Sequence, residues 1–299
     1  MINEINCKDL AKRIMTGLKE TIDREGLNLT LTIIRVGDDS SSTSYIKQIK
    51  KYCYELGVAL NVCELPPEVT TEDVIAMINH YEPTSTGIMV QMPLPAQVDA
   101  RAVTEAIPPE KDIDGITTAN MGKLASNCGN YFVPCTAKAV IKIIEDMYRP
   151  FGSDLSGFDV AVFGRSNVVG KPLALELMNK NATVQIVHSN SFYAPISYTR
   201  KKQIIVSAMG KPHKLTADDF STFNDCIVDC GVTMVDGKLK GDVNLQSLRA
   251  ELGEHKDMYV TPVPGGVGAV TTAMLMENLI EAYHRNRYII GMDLARYSA

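Results

Sequence analysis

The stretch Phe158–Ser189, FDVAVFGRSNVVGKPLALELMNKNATVQIVHS, decides the fold. Val160 to Phe163 is an apolar run of the kind a strand buried on both faces needs. Gly164 then permits a tight turn, and Gly170 follows six residues later. Leu173, Leu175, Leu177 and Met178 continue at roughly helical spacing, and a second apolar run, Ala182 to Val187, ends at His188 and Ser189. The stretch reads as strand, glycine turn, helix, strand. Such a βαβ unit presents free N–H groups and a positive dipole end to a phosphate at its helix N-terminus. The spacing G-R-S-x-x-x-G departs from strict G-x-G-x-x-G, so by itself the glycine pattern also fits an ordinary βαβ turn.

The end of the second strand bears on the cofactor. A dinucleotide site for NAD places Asp or Glu there, about 20 residues after the glycines, to hold the ribose hydroxyls. Here the place holds His188, Ser189 and Asn190, with no acid, and Arg165 sits in the glycine turn. An acid would repel a 2′-phosphate and a guanidinium would pair with it, so the reading leans to NADP, with NAD the weaker fit. On position alone Arg165 is equally well a solvated surface arginine.

The chain has 299 residues, 45% hydrophobic and 22% charged, with net charge -5, which is the composition of a soluble globular protein long enough for two domains. The only basic clusters are the short KQIKK and RKK runs, so no nucleic-acid partner is expected. No apolar stretch reaches the ~18 residues of a membrane span, and MINEINCKDLAKR lacks a signal peptide's apolar core. Seven cysteines without CxxC spacing fit reduced thiols in a cytoplasm, and no metal site is read.

Outward from the central unit, Leu10, Ile14, Leu18 and Ile22 mark one face of a helix over 8–25, with Gly26 as its cap. Strands are expected at 29–36, 58–65 and 87–91, and helices at 44–56 and from Thr70 or Thr71 to Tyr81. The third strand runs into Met92-Pro93-Leu94-Pro95, which puts Gln91 at a carboxyl edge, where α/β sheets keep their sites. Residues 107–136 are irregular and polar, too long for an ordinary connection. A helix over 137–148 leads into the βαβ unit, further strands fall at 203–208 and 226–229, and PVPGGVG opens an apolar helix. Alternating strands and helices predict an α/β protein with mostly parallel sheets and two lobes: 1–136, and a Rossmann-like dinucleotide domain over 137–270, with the helix of about 271–299 returning to the first lobe.

Six motifs occur in order: SxxY at Ser42–Tyr45, VQMPLP at 90–95, PEKDIDG at 109–115, PCT at 134–136, GRSNVVGKP at 164–172 and TPVPGGVG at 261–268. Taken singly each has a bland reading. Tyr45 could be an ordinary helix aromatic, Gln91 a strand end, Asp112 and Asp114 turn residues, and Gly265, Gly266 and Gly268 a helix lead-in. Together, over nearly the whole chain, they resemble the methylenetetrahydrofolate dehydrogenase/cyclohydrolase family. The resemblance implies a homodimer, tetrahydrofolate derivatives in the cleft between lobes, NADP on the C-terminal lobe, and a place in one-carbon metabolism that feeds purine biosynthesis. The implied reactions are oxidation of 5,10-methylenetetrahydrofolate to the methenyl form and hydrolysis to 10-formyltetrahydrofolate.

Carried over by motif, Ser42, Tyr45, Gln91, Pro93, Asp114, Pro264, Gly265 and Gly266 would contact folate. Tyr45 would stack on the pterin, Gln91 would sit beside the reacting carbon and Asp114 would hold the pterin nitrogens. Cys135, Thr136, Gly164, Arg165, Ser166, Ser189, Val232 and Gly268 would contact the cofactor, Cys135 and Thr136 near the nicotinamide. Tyr45, Gln91 and Asp114 would form the catalytic set together with the position of Ile49. That position departs from the family: its catalytic lysine lies four residues after the tyrosine, and here the residue is Ile49. Lys50 stands ~100° and Lys47 ~200° away around the helix, so neither replaces it. Ala137 and Ala269 also replace usual prolines. Hydride transfer needs stacking geometry more than a proton carrier, whereas hydrolysis needs proton transfers. The expectation is therefore a dehydrogenase with weak or absent cyclohydrolase activity. The alternatives are a fully bifunctional enzyme, a non-catalytic folate- or nucleotide-binding homologue, and a generic Rossmann dehydrogenase for another small substrate.

Overall fold

The computed structural model describes the backbone of residues 1–37, 40–152, 154–253 and 257–297, and side chains except those of 40–42 and 287–297. The strands are β1 (Ile2–Glu4), β2 (Thr30–Val36), β3 (Ala59–Leu65), β4 (Gly87–Val90), β5 (Asp159–Phe163), β6 (Thr183–Val187), β7 (Ile204–Ser207), β8 (Cys226–Asp229), β9 (Thr233–Val235), β10 (Lys238–Lys240) and β11 (Met258–Val260). Helices alternate with most of them, and the chain forms two compact units, one of residues 1–12 and 136–271, the other of 13–135 and 272–299. Among the described residues no helix is long and apolar enough to cross a membrane.

The first unit is built on a six-stranded sheet in the order β1-β11-β8-β7-β5-β6, parallel at every pairing. Its central strands are buried on both faces because their residues are almost all apolar, with Ala161, Phe163, Ile205, Ile227 and Val260 in one core cluster. After residue 136 the chain runs through β5, goes outward to β6 and returns to β7 on the other side of β5, so strand order reverses between β5 and β7. At such a switch point the connections diverge and leave a crevice at the carboxyl ends. Residues 1–12, placed by sequence in the N-terminal lobe, belong here instead. Ile2, Asn3 and Glu4 pair in parallel with Met258, Tyr259 and Val260. Three-residue strands such as β1, β9, β10 and β11 carry too little periodicity to be read from sequence.

The second unit holds a three-stranded parallel sheet, β3-β2-β4, with its own switch point between β2 and β4. An isolated parallel bridge from Ile88 to Asp112 lays the KDIDG segment alongside β4. Ile34, Val74, Ile78, Ile88, Val103 and Ile107 form its core. Helix Thr71–Tyr81 begins where Thr70 and Asp73 exchange hydrogen bonds in a capping box, a feature worth ~1 kcal/mol. The irregular stretch at 107–136 contains a regular helix, Thr118–Ser126, started by the Thr117 side chain and stopped by Asn127 in the left-handed region at φ 48°. Helix Ser40–Leu56 starts earlier than its periodicity predicts, because the polar serines ahead of Ser44 carry no apolar signal.

Candidate functional site

In the second unit the site residues gather around the carboxyl end of β4. Gln91 follows β4 directly and its backbone N–H donates to Ile34 O (2.8 Å), which fixes it across the β2–β4 switch point. Its side-chain Nε2 donates to Met92 O at 2.8 Å, while its Oε1 is buried with no hydrogen-bond partner. A buried acceptor left unsatisfied is costly, and such atoms mark places where a ligand completes the bonding.

The KDIDG turn separates two aspartates that sequence could not tell apart. Asp112 is fully buried and structural, its carboxylate accepting from Ile116 N (3.2 Å), Thr117 N (2.8 Å) and Asn120 Nδ2 (2.8 Å). Asp114 is only partly covered, and burial of its surroundings, with the Asp112 charge adding, pushes its carboxyl up to about 6 against a pull downward from the Cys135 thiol. Gly115 makes the turn possible: its φ is +69°, and a Cβ there would stand 2.6 Å from Phe132 O. Burial likewise raises the Tyr45 phenol well above its usual value, with Cys135 and then Asp114 adding to the rise. Tyr45, Asp114 and Cys135 therefore form one cluster. Cys135 is 1% exposed in this unit, its thiol donating to Ile113 O (3.3 Å). Asn278 locks the same corner by donating to Ile113 O (2.8 Å) and Val133 O (3.3 Å), a support that its sequence context does not betray.

Ile49 lies one helical turn after Tyr45 and is 0% exposed, packed on the inner face with Ile46, Cys53 and Leu56. Lys47, Lys50 and Lys51 are all exposed, and Lys51 pairs with Glu55 at 3.8 Å. The Ser42 side chain lies outside the described residues. Pro93, two residues after Gln91, is exposed.

In the first unit, Gly164 leaves β5 at φ +126°, and a Cβ there would stand 2.4 Å from Ala208 O. Gly170 opens helix Gly170–Asn179, and its Cβ would stand 2.3 Å from Gly164 O. Neither position admits a side chain, so the turn is a backbone cradle at a helix N-terminus, fit for phosphate. Arg165 and Ser189 are exposed two residues beyond Phe163 and Val187, which are paired in register, so both emerge at one edge of the sheet. Ser166 has a local task as well: its Oγ accepts from Val169 N (3.2 Å) and Gly170 N (3.5 Å). Ser189 Oγ lies 3.2 Å from Asn190 Oδ1, with no carboxylate among residues 188–191. Val232 is 56% exposed just after β8. In the PVPGGVG loop Pro264 and Gly268 are exposed, Gly265 has φ +96°, and a Cβ on Gly266 would stand 2.2 Å from Pro262 O. Thr136 is partly covered at the start of helix Cys135–Tyr148.

One unit is a parallel six-stranded sheet with a glycine cradle at its switch point, and the other is an α/β unit that holds the unsatisfied Gln91 Oε1 and the raised Asp114 carboxyl; this is the make-up of a two-unit, dinucleotide-binding α/β protein. The family profile described as tetrahydrofolate dehydrogenase/cyclohydrolase, catalytic domain, matches residues 5–114, and its NAD(P)-binding domain matches residues 134–287. The chain belongs to the tetrahydrofolate dehydrogenase/cyclohydrolase family. It is 37% identical over 290 residues to the bifunctional protein FolD of Rickettsia bellii, covering 95% of this chain and 99% of that protein. The crystal structure of the bifunctional FolD dehydrogenase/cyclohydrolase of Campylobacter jejuni superposes with a TM-score of 0.86 at 33% identity, covering 96% of this chain and 100% of that one. The Trypanosoma brucei FolD, solved with NADP cofactor and an inhibitor, gives 0.83 at 32% identity, with 94% and 97% covered.

Proposed function

We propose that this enzyme oxidises 5,10-methylenetetrahydrofolate to 5,10-methenyltetrahydrofolate by hydride transfer to NADP, and that it lacks an effective cyclohydrolase step. NADP, when bound, accepts the hydride. The Gly164 cradle would hold its phosphates, and Arg165 with Ser189, in the absence of a strand-end acid, would receive the 2′-phosphate. Asp114 in its ionised form would accept from paired pterin nitrogens, Gln91 Oε1 would take a donor near the reacting carbon, and Tyr45 would give the ring a flat face. The reaction suits such a site, because departure of hydride is driven by the substrate's own nitrogen lone pairs and the protein's task is alignment.

Hydrolysis of the methenyl cation is a different task, requiring a group that moves protons to and from water. The observation that carries the proposal is Ile49, fully buried where the family's lysine projects, on a helix whose other lysines are exposed. General acid–base assistance is worth ~10²- to 10⁴-fold, so its loss is easily seen. The competing reading, full bifunctionality, is supported by the names of the relatives at 35–38% identity. Decay of the methenyl absorbance, with and without enzyme, separates the two. We expect NADPH to form while the methenyl product decays no faster than in buffer. Clear enzyme-dependent decay would establish the bifunctional reading. A homodimer is the assembly proposed from the family resemblance, to be measured by sedimentation.

A further inference from the structure

The crevice at the β5–β7 switch point has two walls. One is the glycine turn after β5. The other is the segment Ser207–Lys211 after β7, which presses on that turn: Ala208 N donates to Phe163 O at 2.7 Å, and Ala208 O is the atom that excludes a Cβ from Gly164. The second wall is held by a residue to which no role was assigned from sequence. Asp242 is fully buried, and its carboxylate accepts from Ser207 Oγ (2.8 Å), Met209 N (2.7 Å), Gly210 N (3.3 Å) and Lys211 N (2.6 Å). Three consecutive backbone N–H groups converging on an anion make the kind of nest that binds phosphate elsewhere, and here the anion is internal. A second aspartate fixes the first. Asp229 is 3% exposed and accepts from Asp242 N (3.2 Å), Val243 N (2.8 Å) and Gly231 N (2.8 Å). Two glycines make room for this pair reciprocally. A Cβ on Gly231 would stand 2.2 Å from the Asp242 carboxyl carbon, and one on Gly241 would stand 2.1 Å from Asp229 Oδ2.

We propose that Asp242, backed by Asp229, is a positioning residue for the dinucleotide: it sets the distance of the 207–211 wall from the glycine turn and orients the chain leaving β8 toward Val232. This rests on the dinucleotide reading of the unit. Both carboxylates are buried and spent on internal donors, so their effect on the cofactor would be indirect. The geometry has a consequence for cofactor and none for folate, because every bond of the pair lies within the unit of residues 136–271.

Asp242→Asn tests it. The amide is nearly isosteric, yet whichever way it turns, an NH₂ meets an N–H donor that the carboxylate had satisfied. NADPH affinity, read by fluorescence titration, should weaken about 10-fold or more, the size expected for losing a hydrogen bond to a charged group. The KM for methylenetetrahydrofolate and kcat at saturating NADP should stay within about 3-fold of native. Should that variant fail to fold, Gly231→Ala and Ser207→Ala carry the same test. Gly231→Ala keeps both carboxylates but displaces one, and should weaken NADPH binding with folate KM unchanged. Unaltered NADPH affinity in the folded variants, or equal losses for NADPH and folate, would overturn the proposal alone. Absence of NADPH binding by the native protein would overturn the dinucleotide reading with it.

Discussion

At the residue scale, burial gives two aspartates, two residues apart in the same motif, very different work. Asp112 is consumed by three donors inside the turn, whereas Asp114 keeps a carboxyl pushed up to about 6 by burial. A raised folded-state value means that the native state holds the proton longer than the unfolded chain. The stability this gives is full below the ordinary carboxylate range and is lost as pH rises through about 6. Asp114→Asn removes that loss, so its Tm should match native near pH 4 and exceed it above pH 6. On the proposed reading, the same carboxyl would have to be ionised to accept from the pterin. Folate affinity of the native protein should therefore fall as pH drops below about 6, and Asp114→Ala should abolish folate binding while NADP binding survives. Calorimetry at pH 5 and 7.5 measures both, and unchanged folate affinity in Asp114→Ala would refute the assignment.

At the scale of elements, direction around a helix and exit from a strand settle what single residues can do. Helix Ser40–Leu56 turns Ile46, Ile49, Cys53 and Leu56 inward and leaves Lys47, Lys50 and Lys51 exposed, so proximity in sequence to Tyr45 does not bring a lysine beside it. The glycine turn works by a similar constraint. Because β5 and β6 pair in register from Asp159↔Thr183 to Phe163↔Val187, Arg165 and Ser189 leave adjacent strand ends together. Arg165→Ala should then raise the KM for NADP by about 10-fold or more, the cost of a charge-assisted phosphate contact, and change that for NAD little. Equal losses for the two cofactors in steady-state kinetics, or a native preference for NAD, would contradict this account of the turn.

At the scale of the whole molecule, the N-terminus is part of the nucleotide unit. Met258 N donates to Met1 O (2.9 Å), Ile5 N donates to Val260 O (2.9 Å), and Arg249 pairs with Glu4. Removing residues 1–6 strips β11 of its outer neighbour in the sheet. The Tm should drop by roughly 5 °C or more. A truncated protein melting like the native chain in calorimetry would show that β1 is incidental to that sheet.

Sequence by itself determined the alternation of strands and helices, the glycine cradle, the absence of a strand-end acid and the placing of Ile49 one helical turn after Tyr45. Each of these is local: an apolar run, a residue without a Cβ, or a spacing of four along one helix. It also ordered the six motifs that place the chain in its family. Only the tertiary structure decided that residues 1–12 belong to the dinucleotide unit, that Asp112 is structural while Asp114 is poised, that Cys135 sits with Asp114 and Tyr45, and that Asp242 holds the wall of the crevice. These facts depend on partners far apart in the chain, such as Ser207 with Asp242 or Ile2 with Met258. Burial and hydrogen bonding are properties of the folded surroundings, so residues of one type in one motif part ways only when the chain has closed around them.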